Sequence, residues 1–172
     1  DRLIRQDRVH SCTTITLPDS RTADADTVAA MVRRAESVYF AGGNQCEYVG
    51  WAGQAVHAAV IDVYERGGGV GGGSAGLALQ GEAVYDGCAG SVCSEEALAN
   101  PYDDRIRVAD GMFGWPSLRR VVPDSHFAER DRMGRLIAFV ARQIDERGAE
   151  AFYGLGLNEA TAAVVGPDQT AT

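Results

Sequence analysis

The chain has 172 residues, 45% of them hydrophobic, which suits one domain with a real core and excludes disordered or collagen-like chains. Its 16 basic residues are all arginine, so a Walker A phosphate loop and lysine Schiff-base chemistry are excluded. Against 24 acidic residues the net charge is -8, which argues against a nucleic-acid partner, and no apolar run approaches the ~20 residues of a membrane-spanning helix, so no membrane partner is expected.

In chain order, the β-branched run Val9–Leu17 predicts a strand ending at Pro18. Asp24-Ala-Asp-Thr then caps a helix whose apolar face is Val28, Met31, Val32 and Ala35. Ser37–Ala41 reads as a short buried strand running into Gly42-Gly43-Asn44-Gln45. A helix follows from about Gly53 to Arg66, stopped by Gly67. After the glycine run 67–76 and the helix-forming Leu77-Ala-Leu-Gln, residues 82–114 read as a long loop with a turn of helix at 94–99. Leu118–Val122 predicts a strand ending at Pro123. From about Glu129 to Arg147 a helix should turn Met133, Leu136, Ile137, Val140 and Ile144 to the core, with Arg132, Arg135 and Arg142 on the opposite face. Strands at Phe152–Leu157 and Thr161–Val165 close the chain. Alternating strands and helices predict an α/β fold, three-layer α/β/α with a mostly parallel sheet.

The start at Asp1, with neither an initiator methionine nor a signal-peptide pattern, predicts a single domain over 1–172 that is a fragment of a longer chain. Cys12, Cys46, Cys88 and Cys93 show no Cys-x-x-Cys spacing, so no structural metal site is expected. Cys88 and Cys93 are close enough to bridge, and two reduced thiols are equally compatible; the compartment stays open between cytoplasmic and secreted.

Gly72-Gly73-Ser74-Ala75-Gly76 fits Gly-x-Ser-x-Gly, a strand-to-helix turn tight enough to present a serine nucleophile. The same run also fits a dinucleotide pattern in two registers, Gly67-x-Gly69-x-x-Gly72 and Gly71-x-Gly73-x-x-Gly76, but a helix rather than a strand precedes Gly67. A plain glycine-rich packing turn competes with both. A nucleophilic serine needs a base, and the base an orienting partner. His10 and His57 fall where structural or surface histidines are common, whereas His126 follows a strand end, and Glu159 follows another. The chain order serine, histidine, glutamate is not that of the α/β-hydrolases.

Four segments together, FAGGNQ (40–45), GGGSAG (71–76), DSHFAERDRMGRL (124–136) and GLGLNEATA (154–162), resemble the cyanophycinase-like serine peptidases. The resemblance spans roughly residues 38–165, and its histidine-centred motif is the specific one. It implies a flavodoxin-like, class I glutamine-amidotransferase-like fold, here an incomplete copy. It implies Ser74 as nucleophile, His126 as base, Glu159 as orienting acid and the N–H groups of Gly43 and Ala75 as the oxyanion hole. Gln45, Asp124, Ser125, Arg130, Arg132 and Arg135 match the family's substrate pocket. On residue physics alone, arginines in the first turns of a helix oppose its dipole, although pairs such as Asp131–Arg135 and Arg142–Glu146 would also suit a solvated face.

The expected reaction is hydrolysis of a peptide-like amide without cofactor, on a peptide or cyanophycin-like polymer, releasing β-Asp-Arg-type dipeptides. A catalytically inactive relative that binds acidic or arginine-bearing peptides, and an aspartyl dipeptidase, are the alternatives; a homodimer is left open. The chain departs from the family at Ser125 (usually glutamine), Asn44 (aspartate), Gly73 (threonine) and Asn158 (aspartate), changes that bear on substrate more than on chemistry.

Overall fold

A computed structural model describes residues 9–172. In chain order it contains α1 (Ser20–Ala23), α2 (Asp26–Arg33), β1 (Ser37–Phe40), α3 (Gln45–Val49), α4 (Ala55–Glu65), β2 (Gly69–Gly72), α5 (Ala75–Ala78), β3 (Ala83–Tyr85), α6 (Ser94–Ala99), β4 (Val108–Asp110), β5 (Val121–Ser125), α7 (Met133–Arg147) and β6 (Tyr153–Leu157). The class is α/β, as the alternation of elements predicts, with the strands hydrogen-bonded as three pairs. β1 and β2 are parallel, with Phe40 beside Gly72, and β5 and β6 are parallel, with Ser125 beside Leu157. β3 and β4 are antiparallel.

Two apolar clusters hold these pieces. In one, Ala29 and Val32 of α2 and Val56, Ala59, Val60 and Val63 of α4 pack with Phe40, Phe113 and Trp115. In the other, Tyr85, Val122, Leu136, Phe139 and Phe152 join α7 to β3, β5 and β6. Phe113 and Phe139 are fully buried; truncating either to alanine costs about 3–5 kcal/mol.

The structure departs from the sequence expectations at several elements. Residues 9–17 are not a strand: among the described residues no strand lies beside them to complete a ladder, and only Ile15 and Leu17 reach the core. Thr161–Val165 is likewise not a strand, being reduced to one bridge between Val165 and Ala171. The strand expected at 118–122 starts at Val121 and runs through Pro123 to Ser125, with a 3-10 turn at Pro116–Leu118 before it. Pro123 is tolerated there because, among the described residues, β6 is the sole ladder neighbour of β5. Asp24 does not cap its own helix; its Oδ1 accepts the N–H of Ala55 at 3.2 Å and so caps α4.

The last helix starts at Met133, not near Glu129, because residues 126–132 coil into turns with Asp131 at φ 47°. Its face is also rotated from the expected one. Gly134, Arg135, Leu136, Ala138, Phe139 and Gln143 are buried, while Met133 (57% exposed), Ile137 (54%) and Ile144 (36%) are not. Two contacts fix that rotation. α6 crosses so closely that a Cβ at Gly134 would lie 2.7 Å from the Ser94 Cβ, and Phe139 stacks on Tyr85 at 4.5 Å. The disulfide joins Cys46 to Cys88, leaving Cys93 and Cys12 as exposed thiols, so Cys88 bridges across the fold and not to its near neighbour in sequence.

Candidate active site

The carboxyl ends of β2, β5 and β6 deliver Ser74, His126 and Glu159 to one place. β2 is built from the glycines themselves, which is why the run reads as a turn in sequence. Gly72 and Gly76 each answer a close approach. A Cβ on Gly72 would lie 2.3 Å from the Gly76 carbonyl oxygen, and one on Gly76 would lie 2.1 Å from that of Phe40. Ser74 projects from this turn at φ 54° and ψ -116°, a region that L residues rarely adopt. The dinucleotide reading finds little support, because the helix behind the turn has only four residues with which to hold a pyrophosphate.

Ser74 Oγ lies 3.0 Å from His126 Nε2, and His126 Nδ1 lies 2.8 Å from Glu159 Oε1. A carboxylate can only accept, so Nδ1 carries the proton toward Glu159, and Nε2 is left free to accept from the serine hydroxyl. His126 also sits at positive φ (48°), as does Ala160 (56°) beside Glu159. Backbone strain thus gathers where these three side chains meet.

The turns that carry His126 and Glu159 brace each other. Glu129 Oε1 accepts the Glu159 N–H at 2.9 Å, and Asn158 Oδ1 accepts that of Ala128 at 3.0 Å. The Phe127 ring lies against Gly156, where a Cβ would come within 2.6 Å. Sequence reasoning missed Glu129, treating it as the start of a helix; its place inside the histidine-centred motif was the available signal. Asn44 caps α3 by accepting the Cys46 N–H at 3.1 Å, work an aspartate would do equally.

A cavity of about 260 Å³ opens before Ser74, and Gly43, Gln45, Ala75 and Ser125 line it. Gly42 follows the end of β1 so closely that a Cβ there would lie 3.3 Å from the Ser74 Cβ. Among the described residues, the N–H groups of Gly43 and Ala75 donate to no other group, so both remain available to an incoming oxygen. A larger hollow of about 620 Å³ lies at the opposite ends of β5 and β6, beside Arg119, Arg120 and Arg147, and contains no nucleophile–base pair.

The arginines divide. Arg135, expected opposite the apolar stripe and, by the resemblance, at the substrate pocket, is 3% exposed and forks onto Asp124, with Nε–Oδ2 2.7 Å and Nη2–Oδ1 2.6 Å. It does not pair with Asp131. Arg132 reaches Asp124 at 3.2 Å and the Ser125 carbonyl at 2.6 Å. Burial first, then the adjacent Arg135, lowers its pKa, while Asp124 pulls the other way. Asp124 and Arg135 are therefore engaged with each other. Arg130 is exposed at the cavity edge and joins no ion pair among the described residues. His57 is committed elsewhere, bonded to the Gly53 N–H and the Met112 carbonyl.

No family model matches the chain, and no curated protein matches it either. Among solved structures it is similar to the crystal structure of a peptidase from an acI-B1 Actinobacterium, with a TM-score of 0.59 at 15% identity. The match covers 84% of this chain and 52% of that one, so this chain spans about half the length of the structure it resembles. At that identity the likeness shows a shared α/β fold.

Proposed function

We propose that the protein is a serine-type peptidase that cleaves a peptide-like amide. His126 removes the Ser74 proton as Oγ attacks the carbonyl carbon, and Glu159 stabilises the imidazolium that forms. The N–H groups of Gly43 and Ala75 hold the oxyanion, His126 returns the proton to the leaving amine, and water attacking the acyl-enzyme by the same route frees Ser74. The observation that carries this reading is the hydrogen-bonded line Ser74–His126–Glu159 with Ser74 at positive φ. The fold shared with a solved peptidase supports it.

For the substrate, the reading favours a peptide bearing a carboxylate, drawn by Arg130 at the cavity edge. Cyanophycin, β-Asp-Arg and α-aspartyl dipeptides are the panel to assay. A fluorophosphonate probe should label Ser74, as mapped by mass spectrometry, and Ser74→Ala should abolish both labelling and turnover while leaving the circular dichroism spectrum unchanged. Turnover that survives in Ser74→Ala would refute the assignment.

A further inference from the structure

The disulfide lies beside the cavity, and its two anchors are held very differently. The Cys88 side is rigid without it. Asp86, 4% exposed, accepts the Cys88 N–H at 2.8 Å and pairs with Arg107 at 3.4 Å, and the Tyr85 hydroxyl donates to the Gly90 carbonyl at 2.7 Å. The Cys46 side belongs to α3, a five-residue helix with no fully buried residue. The far end of α3 is seated by Tyr48, edge-on to Phe40 and Trp51 at 6.0 and 4.7 Å. Among the described residues, the side-chain hydrogen bonds that hold this wall, apart from the disulfide, are Gln45 Nε2 to the Tyr85 carbonyl at 3.3 Å and the Tyr48 hydroxyl to the Ala41 carbonyl at 3.1 Å. Gly43 and Gln45, at the near end of α3, form the cavity wall opposite Ser74, and Gly87 on the other anchor packs against Gln45.

We propose that the Cys46–Cys88 disulfide is a redox-sensitive clamp that positions the Gly43–Gln45 wall for the reaction at Ser74. Intact, it holds the Gly43 N–H where the oxyanion develops. A dithiol reductant attacks the bridge, gives up two electrons and two protons to form two thiols, and leaves as its own cyclic disulfide. The wall then loses its covalent tie to the Cys88 loop and keeps the weaker Gln45 and Tyr48 contacts, while the Cys88 loop stays in place. Cys88 is exposed, so the bridge is open to such attack. The proposal rests on the serine-peptidase reading, and its test separates the two.

The experiment uses the chain carrying Cys12→Ser and Cys93→Ser, so that no other thiol can exchange. Fluorophosphonate labelling of Ser74 and amide hydrogen exchange are measured before and after dithiothreitol, with opening of the bridge confirmed by alkylation and mass. Reduction should slow labelling about ten- to hundredfold, the scale of a misplaced oxyanion donor. It should also raise exchange across residues 42–49 while residues 86–92 stay protected. Adding Cys46→Ser and Cys88→Ser should give the slow rate with or without reductant. An unchanged labelling rate with the bridge open overturns the clamp, as does exchange that rises in both segments or throughout the chain. If the oxidised protein does not label at all, the serine-peptidase reading fails, and exchange confined to 42–49 still decides whether the bridge holds that wall.

Discussion

Asp124→Asn distinguishes a scaffold aspartate from a substrate ligand. Asp124 is 5% exposed and receives three guanidinium hydrogen bonds, at 2.7 and 2.6 Å from Arg135 and 3.2 Å from Arg132. Asparagine keeps the volume, so no cavity term enters, but it removes the charge and turns an N–H₂ group toward donors. Arg135, itself 3% exposed, would then be a buried cation without its counter-ion. Breaking such a pair from one side costs about 3–5 kcal/mol, a large share of the ~5–15 kcal/mol that holds a domain together. For a chain of this length that is a fall in Tm of roughly 6–20 °C. Urea unfolding followed by circular dichroism measures the loss directly. The double variant Asp124→Leu with Arg135→Met removes both charges and should recover to within about 2 kcal/mol of the wild type. An Asp124→Asn protein of unchanged Tm but raised KM would refute the reasoning and make Asp124 a substrate contact.

Ser74→Gly should relieve the positive φ and raise Tm by a few degrees, about 1 kcal/mol, while losing all labelling; a fall in Tm would show that the turn stores no strain. Gly76→Ala places a methyl group 2.1 Å from the Phe40 carbonyl oxygen and should cost about 3 kcal/mol or more, read as a lower urea midpoint. Asp103, hydrogen-bonded by Arg105, has its pKa lowered to about 2. A depressed carboxylate stabilises the fold above its unfolded pKa, so its contribution should fade as pH drops from about 4 toward 2. In Asp103→Asn that acid step should shrink, as measured by the pH dependence of the unfolding free energy.

The nearness of Ser74, His126 and Glu159 was legible because Gly-x-Ser-x-Gly marks the turn of Ser74, while His126 and Glu159 each follow a strand end, and the ends of parallel strands gather on one edge. α7 was misread in its rotation because aliphatic periodicity weighs Met133, Ile137 and Ile144 above Gly134, Ala138 and Arg135. Which face packs is decided by how closely α6 can cross at Gly134 and by the carboxylate waiting for Arg135, neither of which has a local signature. Strand β2 was hidden because glycine carries no β propensity; it is extended because β1 lies beside it. The Cys46–Cys88 pairing, 42 residues apart, is set by the approach of α3 to the Cys88 loop, whereas sequence proximity pointed to Cys93.

The charge of the site follows from the same pairing. In a chain of net charge -8, three arginines and one aspartate line the cavity. Asp124 neutralises Arg135 at close range and part of Arg132, and Arg132 also spends a hydrogen bond on the Ser125 carbonyl. The full charge left for a ligand is that of Arg130, and it stands in solvent. An exposed charge contributes at most about 1 kcal/mol and is screened over roughly 8 Å at physiological ionic strength. Arg130→Ala should therefore raise KM for acidic peptides about fivefold at most, leave kcat unchanged, and lose its effect as salt approaches about 1 M. A KM defect that persisted at high salt would mean that Arg130 is desolvated by the substrate and bonded to it directly. A matching defect on uncharged peptides would mean that its role is structural.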